Sequence, residues 1–305
     1  MPSPVNIGSF GDVLDPRFFE ITDGEYSLEV DFIPKLYTVK TGSQYTERGS
    51  SLTPMGLFTE FLGLVPYDGP TLGYDWQTTH KEYARGIQVE RSLVEFDQFD
   101  IIESRFRLLA RSATQSRQVE AAKTFSEGFS IDSGYTHTEN VALFSDSHTS
   151  PVSGVSTTTG FDNLTTSAFS PTALKSAYIQ FRKFRDNAGQ PIEGHEASML
   201  LLPVDLKDRA EEIFGTMKGL DSSDMNKNVL ERRYKVVDWI RQTDVNNWFL
   251  IDEKLMKENL FWFDKVKPEF ARVEDFDTII AKYRGYYMST RGRADWRWGL
   301  GGNVS

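Results

Sequence analysis

The sequence predicts an α+β fold, and three observations support that prediction. A stretch without Pro or Gly from residue 97 to residue 127 is long enough for one helix of about 30 residues. Extended segments precede this stretch in the chain. After it, short apolar strands alternate with amphipathic helices, which is the pattern of a mixed domain.

Residues 1–55 are predicted to form an extended arm. Apolar residues alternate with polar ones in the manner of a strand at Tyr26, Leu28, Val30 and Phe32. Pro34 interrupts the remainder, and a hinge is expected at the glycines of residues 42–49. We expect no long charged helix in this arm.

Residues 56–95 are predicted to form a long two-stranded excursion. A turn-rich break at residues 65–70 (VPYDGP) precedes the returning arm, which includes Ile87 and Val89. An isolated hairpin is marginally stable in water, so it needs a surface to pack on. A neighbouring copy of the chain would supply that surface.

A long helix is predicted to begin at Asp97, as its N-cap, with Asp100 near the positive end of the helix dipole. Two apolar stripes run along it, first Phe99, Ile102, Phe106, Leu109 and Ala113, then Val119, Ala122, Phe125 and Phe129. The second stripe is rotated by about 150° from the first, so the two halves should pack against different partners. The alternative is an ordinary core helix that is broken near residue 114.

Beyond a Ser/Thr/Gly-rich loop at residues 145–171, helices alternate with buried strands. One helix is predicted to start at Pro171 or Thr172 and another to be capped by Asp205. Their inward residues are predicted to be Leu174, Tyr178, Phe181 and Phe184 in the first, and Leu206, Ala210, Ile213 and Phe214 in the second. Buried strands are predicted at residues 199–202, 248–251 and 260–263.

The charge distribution argues against a protein that grips nucleic acid. The net charge is −10 and the isoelectric point is near 5.0. Residues 1–150 contain 12 Lys and Arg against 22 Asp and Glu, whereas residues 151–305 contain 22 of each. A DNA-binding domain would have a basic face. The basic clusters at residues 232–233 and 291–297 are therefore expected to form salt bridges with the acidic half, within or between subunits, and DNA contact is the alternative.

No motif indicates catalysis, a cofactor or a metal. The chain has no cysteine, which excludes disulfides and thiolate ligands. The four histidines, His80, His137, His148 and His195, lack zinc-helix spacing and are expected to be exposed in loops. No phosphate-binding loop or nucleophile elbow is present, and the glycines of residues 299–302 are expected to form a flexible tail. No membrane span or signal peptide is predicted, so we expect the chain to be cytosolic where it is made.

Several segments together resemble the major capsid proteins of tailed bacteriophages with the Hong Kong 97-type fold, in particular the Mu-like gpT head subunits. They are residues 140–148 (NVALFSDSH), 244–249 (DVNNWF), 276–278 (FDT), 281–283 (AKY) and 295–297 (DWR), with the helix–strand–helix run at 170–217. The resemblance extends from about residue 36 to the C-terminus. It implies an N-terminal arm at 1–55, an E-loop at 56–95, the spine helix of the P-domain at 96–135, an A-domain at 136–258, and returning P-domain strands with a tail at 259–305.

The resemblance also implies a function. Copies of the chain would form the pentamers and hexamers of an icosahedral shell, which assembles in the host bacterial cytoplasm and becomes the virion capsid. The shell would enclose double-stranded DNA without sequence-specific binding, and it would carry a portal protein at one vertex. A separate scaffolding protein is expected as a partner, and a decoration protein is a further candidate. The chain would not be an enzyme.

Eight residues are candidates for contacts between subunits. They are Tyr67, Trp76, Lys81, Tyr83, Arg85, Arg291, Arg293 and Arg297. Lys81 is the sole lysine between Leu64 and Phe96, so it is the candidate for an E-loop crosslink, although crosslinking is not expected here.

Two other functions remain as alternatives at this point. An encapsulin-like compartment protein would have the same fold but would enclose enzyme cargo, and the long N-terminal arm disfavours it. A soluble hydrolase would use His148 or His195, and the absence of a catalytic motif disfavours that.

Overall fold

The frame of the molecule is one long helix packed on a four-stranded sheet, together with a five-stranded sheet that has its own helices. In this computed structural model the described residues are 8–28, 31–55, 57, 58, 60, 61, 63, 65, 67, 69, 72–90, 99–132, 134–215, 228–275 and 280–304. The helices are α1 (Gly8–Leu28), α2 (Ile33–Leu36), α3 (Phe99–Ser126), α4 (Pro171–Arg182), α5 (Lys207–Gly215) and α6 (Glu253–Asn259), with a 3-10 turn at Val204–Leu206. None of these described helices is both long enough and apolar enough to cross a membrane.

The described strands form three sheets. They are β1 (Thr38–Thr41), β2 (Thr46–Leu52), β3 (Leu72–Thr79), β4 (Lys81–Glu90), β5 (Tyr135–His137), β6 (Leu164–Thr165), β7 (Met199–Leu202), β8 (Lys235–Asp238), β9 (Trp248–Ile251), β10 (Leu260–Asp275), β11 (Ile280–Arg293) and β12 (Gly299–Gly302). The sheet orders are β1-β10-β11-β4, β6-β12-β9-β7-β8 and β2-β3-β5. The predicted combination of a long helix with mixed α/β layers is therefore confirmed.

The N-terminal segment is helical, so the extended arm predicted for it is wrong from residue 8 to residue 28. Phe18 and Ile21 are three residues apart and both are buried, which is helical spacing. They pack against α3 and β11, and this tertiary contact outweighs the short strand-like alternation near Tyr26. Pro16 lies inside the helix and removes one backbone hydrogen bond.

β2 and β3 form an antiparallel hairpin that runs outward to the pair Leu52 and Leu72, and β5 adds a third strand beside β3. The excursion exists, but placing Ile87 and Val89 on its returning arm is wrong. Both residues lie in β4, which pairs with β11 over its whole length. Val89 is 1% exposed and packs in a cluster with residues of α3. Burial of this side chain therefore favours pairing of β4 with the four-stranded sheet over pairing in the hairpin.

α3 is continuous from Phe99 to Ser126, which excludes a break near residue 114. Asp100 lies in its first turn, whereas the predicted cap Asp97 lies outside the described residues. The buried positions of the first stripe are Ile102, Phe106 and Leu109, and those of the second are Ala122 and Phe125. The two groups belong to different hydrophobic clusters, so the prediction of two packing partners is confirmed.

One member of the second stripe is misplaced by the sequence prediction. Val119 is 43% exposed, whereas Thr114, Arg117 and Glu120 are buried. These polar side chains turn inward because Arg117 and Glu120 find charged partners on the neighbouring strands. Burying a charge costs much less free energy when the charge is paired than when it is not.

β10 and β11 form the centre of the four-stranded sheet and are paired from Leu260–Arg293 to Asp275–Ile280. Tyr283 faces α3 and packs on Phe106, while its neighbour Arg284 is exposed on the opposite face. The motif at residues 276–278 lies outside the described residues. The motifs at 281–283 and 295–297 lie in β11 and directly after it.

The five-stranded sheet matches the prediction closely. β7 and β9 of this sheet are buried at the predicted positions, as is the start of β10 in the four-stranded sheet, and the loop at 145–171 is irregular apart from β6. α4 begins at Pro171, where the hydroxyl of Ser170 accepts a hydrogen bond from the backbone N–H of Ala173. Asp205 is not a cap, because it lies inside the 3-10 turn that precedes α5.

The glycines of β12 are not a flexible tail, so that prediction is wrong. β12 lies between β6 and β9 and is fully buried. A Cβ atom on Gly301 would lie 2.7 Å from the ring of Phe144, and one on Gly302 would lie 2.6 Å from the indole of Trp248. The glycines are therefore sites where aromatic rings rest directly on the backbone.

Candidate assembly surfaces

The hairpin of β2 and β3 ends in a tip, residues 53–71, whose described apolar side chains lie in solvent. The exposed large apolar residues of this hairpin tip are Met55, Leu57, Phe58, Phe61, Val65 and Tyr67. Phe58 is 107% exposed and Tyr67 is 93% exposed. Such an accumulation of exposed apolar surface marks an interaction site, since only a partner can remove it from water.

The base of the hairpin, in contrast, is firmly anchored in its own subunit. Trp76 is buried against the start of β10, and the indole lies directly on the backbone of Gly49, where a Cβ would approach it to 2.6 Å. The ring of His80 lies 3.3 Å from Glu47. Burial opposes ionisation of Glu47, but hydrogen bonds from the backbone of Gln44 and from His80 lower its pKa below the usual value. The hairpin therefore combines a base that is packed in its own subunit with a tip whose described apolar side chains are exposed.

Arg291 connects β11 to α3 through a partly buried ionic network. Its Nη1 donates to the carbonyl oxygen of Glu120 at 2.6 Å, and its Nη2 lies 2.5 Å from Asp132 and 3.5 Å from Glu127. The same Nη1 lies 3.4 Å from the carboxylate of Glu120, which Lys81 approaches from β4 at 3.7 Å. Burial opposes ionisation of Asp132, but the guanidinium of Arg291 lowers its pKa. For Arg291, the expected pairing with the acidic half thus occurs within one subunit.

Three of the eight predicted contact residues lie in the interior of their own subunit. Trp76 is 8%, Arg291 is 8% and Arg297 is 7% exposed. Arg297 forms a salt bridge with Asp295 at 2.9 Å and donates to the side chain of Asn187 at 2.8 Å. These three side chains contact partners inside their own subunit, and their contacts with a neighbouring subunit stay a prediction.

The other predicted contact residues have some free surface or lie close to it. Tyr67, Arg85 and the outer half of Lys81 are exposed, and Tyr83 is half-buried. Arg293 is half-buried, and its guanidinium lies 5.0 Å from the ring centroid of Tyr135. Contacts of these five residues with a neighbouring subunit remain a prediction.

The histidines are not exposed loop residues, so that expectation is wrong. His80, His148 and His195 are 3%, 3% and 2% exposed. Each histidine faces a carboxylate: His80 faces Glu47 at 3.3 Å, His137 and His148 face Glu139 at 3.8 and 3.1 Å, and His195 faces Asp252 at 3.4 Å. His80 pairs with a residue of β2, whereas His148 and His195 pair with residues that lie outside the strands. In the part of the chain that the structure describes, no three His, Asp or Glu residues form a cluster that could hold a metal ion.

One set of charged residues was missed by the sequence prediction. The charge ladder, as we call it, joins α1 to α3 and consists of Arg17, Glu20, Glu25, Glu103, Arg107 and Arg111. The four-residue spacing of Glu103, Arg107 and Arg111 along α3 is a signal that could have indicated it. It went unrecognised because α1 was predicted to be extended.

A family described as "Phage capsid protein" has a sequence model that matches residues 76–300 of this chain. No curated protein sequence matches the chain.

Several solved capsid structures have a similar fold. The procapsid of bacteriophage JBD30 matches with a TM-score of 0.56 and 13% identity, over 99% of this chain and 77% of that one. The mature capsid of bacteriophage PhiM1 matches with a TM-score of 0.57 and 8% identity, over 91% and 88%. The capsid of the native GTA particle matches with a TM-score of 0.55 and 10% identity, over 90% and 89%. At these identities the likeness concerns the fold.

Proposed function

Because this chain belongs to the phage capsid protein family, we propose that its copies assemble into the pentamers and hexamers of an icosahedral head. The chain is a major capsid protein with the Hong Kong 97-type fold, as the sequence resemblance predicted. The proposal adds the manner of assembly and the contents of the shell, which is double-stranded DNA held without sequence-specific contacts. An acidic chain with an isoelectric point near 5.0 suits a wall that encloses DNA without adhering to it.

The observation that carries the proposal is the contrast between the bare hairpin tip and its rigid base. Phe58 and Phe61 lie in solvent, whereas Trp76 and His80 fix the base of the same hairpin. A soluble monomer gains nothing from holding apolar side chains at a distance from its core. In an assembly the tip of each subunit lies on the next subunit, and burial of a Phe side chain contributes about 1.5–3 kcal/mol.

We assign the parts of the subunit as follows. The spine helix of the P-domain is α3, the returning P-domain strands are β10 and β11, and the A-domain is the region around the five-stranded sheet. The E-loop comprises the β2–β3 hairpin with its tip, so it begins earlier and ends earlier than residues 56–95. β12 pairs with β9, so residues 299–302 are assigned to the A-domain sheet.

The partners that we propose follow from the head assembly. A portal protein occupies one vertex, and a separate scaffolding protein directs closure in the host cytoplasm before the shell becomes the virion capsid. A decoration protein is a further candidate, since one capsid of similar fold, from bacteriophage JBD30, is decorated with minor capsid protein trimers. The subunit acts without catalysis in this proposal, and its histidines serve as internal pairs with Glu47, Glu139 and Asp252.

Assembly can be tested with a charged variant of the hairpin tip. The double variant Phe58→Asp and Phe61→Asp places two carboxylates where the proposal requires an apolar contact. Wild-type protein, with and without the products of neighbouring genes, should form capsomers, tubes or closed shells in negative-stain electron microscopy and light scattering. The variant should remain folded and unassembled, because each lost Phe contact weakens association by roughly tenfold or more.

The matched control is Phe58→Leu with Phe61→Leu, which keeps the tip apolar and should still assemble. Circular dichroism of both variants establishes that the subunit is folded. Normal shells from the Asp variant would contradict the role of the tip. A wild-type chain that stays monomeric in every condition would contradict the proposed assembly itself.

A further inference from the structure

α1 packs on α3 and on the four-stranded sheet through an apolar contact. The anchor is Phe18, which is fully buried and lies 4.8 Å from Phe106 and 4.7 Å from Tyr283, measured between ring centroids. Ile21 is buried beside it, whereas Phe19 is 42% exposed. Among the side chains described in α1, Phe18 forms the centre of the contact, and Tyr26 is half-buried farther along the helix.

The second contact is the charge ladder, which alternates in sign along the boundary between the two helices. The Nε atom of Arg17 lies 2.9 Å from Glu103, and Nε of Arg111 lies 3.1 Å from Glu25. Arg107 bridges both acids, at 3.3 Å from Glu103 and 3.7 Å from Glu25. Each of these two carboxylates therefore serves two arginines.

The arginines of the ladder are open to the solvent and so to salt, whereas Glu103 and Glu25 are 23% and 16% exposed. The side chains of Arg17, Arg107 and Arg111 are 46%, 44% and 49% exposed. Exposed ion pairs are weak singly, and they are screened when the Debye length falls from about 10 Å at 0.1 M salt to about 3 Å at 1 M. The strength of this contact therefore depends on ionic strength, unlike the aromatic core of the same subunit.

α1 also lacks the means to stay helical on its own. Pro16 interrupts its hydrogen bonding, and the part after it, residues 17–28, is at the lower limit of the length at which isolated helices become stable in water. Undocking and unfolding of this helix are consequently one event.

We propose that α1 is a releasable latch on α3, closed by the Phe18 anchor and the charge ladder and opened when the ladder is screened. Release uncovers an aromatic slot formed by Ile102, Phe106 and Tyr283 without disturbing the five-stranded sheet, whose core is a separate cluster. The latch is a property of the single subunit, so it does not depend on the proposed assembly.

Hydrogen–deuterium exchange of the full-length chain, followed by mass spectrometry of peptides, tests the latch. On raising NaCl from 50 mM to 1 M, the exchange of residues 17–28 should accelerate about tenfold, because three interhelical pairs each contribute roughly 1.5- to 5-fold. Peptides from β7 and β9 should not change. The same measurement on assembled particles and on unassembled subunits separates an effect of the latch from an effect of assembly.

The variant Glu25→Gln with Glu103→Gln removes the ladder. Exchange of α1 should then be fast at low salt and should no longer respond to salt. Phe18→Ala should accelerate exchange at every salt concentration while keeping the salt response. The matched control is Arg209→Gln, which removes an arginine as exposed as those of the ladder from its pair with Glu212 on α5 and should leave α1 unchanged.

The proposal is overturned by any of three results. The first is wild-type exchange in α1 that does not respond to salt. The second is an unchanged salt response in the ladder variant. The third is exchange of α1 in step with β7 and β9, which would mean that the helix opens only with the whole subunit. The wild-type salt series alone decides the first and third results, so a variant that fails to fold does not prevent the test.

Discussion

The buried ion pair between Arg117 and Asp264 is the site where one substitution should destabilise the subunit most clearly. Both side chains are 6% exposed, and Nη2 of Arg117 lies 3.0 Å from Oδ2 of Asp264. The other oxygen of Asp264 accepts a hydrogen bond from the indole of Trp262 at 2.8 Å. The variant Asp264→Leu removes the carboxylate and leaves the guanidinium of Arg117 buried without its partner.

The magnitude follows from the cost of a buried charge that loses its partner. Removing one member of such a pair costs about 3–5 kcal/mol, whereas replacing both by apolar residues is often close to neutral. A chain of this length has an unfolding entropy of about 0.6 kcal/mol/K, so a loss of about 4 kcal/mol should lower the Tm by about 6–7 °C. The double variant Arg117→Met and Asp264→Leu should lie within about 1–2 kcal/mol of the wild type, with the lost indole hydrogen bond as its main cost.

Urea unfolding of the unassembled subunit, followed by tryptophan fluorescence and circular dichroism, measures these differences as a double-mutant cycle. The wild type, both single variants and the double variant complete the cycle. A loss below about 1 kcal/mol for Asp264→Leu would refute the reasoning. So would a double variant that is as unstable as the single ones, because the pair would then contribute packing and not compensated charge.

Three further predictions concern stability. Gly301→Ala should destabilise the subunit by about 1–3 kcal/mol in urea unfolding, because the added methyl overlaps an aromatic ring; wild-type stability would contradict the tight packing of β12. Phe125→Ala should lower the free energy of unfolding by about 3–5 kcal/mol, whereas Val119→Ala, at an exposed position on the same helix, should lower it by less than about 1 kcal/mol. Equal losses would contradict the assignment of the buried face of α3. Burial opposes ionisation of Glu139, but His148 lowers its pKa below the usual 4.5, so its contribution is complete above pH 4.5 and is lost as the pH falls through the folded-state value. The urea concentration at the unfolding midpoint should therefore decrease as the pH is lowered below 4.5, and Glu139→Gln should abolish that part of the pH dependence.

The sequence allowed prediction of those elements whose burial pattern is uniform along the segment. β7 and β9 are runs of four buried residues, and such short apolar runs between turns indicate interior strands. α4 could be predicted because its cap Ser170, the following Pro171 and its apolar spacing all indicate the same helix. α3 could be predicted from its length without Pro or Gly.

The failures occur where distant partners decide the structure. α1 contains Pro16 and is stabilised by packing on α3, a contact that no local pattern reveals. The expectation of exposed histidines fails because they pair with acids that no local pattern indicates, such as Asp252 for His195. The same holds for Arg291, whose partners Glu120 and Asp132 are supplied by α3 and the segment after it.

Glycine in β12 was misinterpreted for a different reason. A run of glycines is compatible with a flexible tail and with a strand pressed against aromatic rings, and composition alone does not separate the two. Trp248 and Phe144, the rings that decide between them, lie far from Gly301 and Gly302 in the sequence. The candidate assembly surface was predictable in outline, since an excursion without its own core needs a partner, but its arms were assigned to the wrong strands.

The position of β12 also determines when the five-stranded sheet can form during translation. β12 lies inside the five-stranded sheet, between β9 and β6, although β6 precedes it by more than a hundred residues. At roughly 5–20 residues per second, a ribosome needs about 7–27 s to travel from β6 to β12. During that interval β6 has no partner strand among the described residues and the edge of β9 that β12 will cover is open. The sheet can therefore close only after translation has passed residue 302.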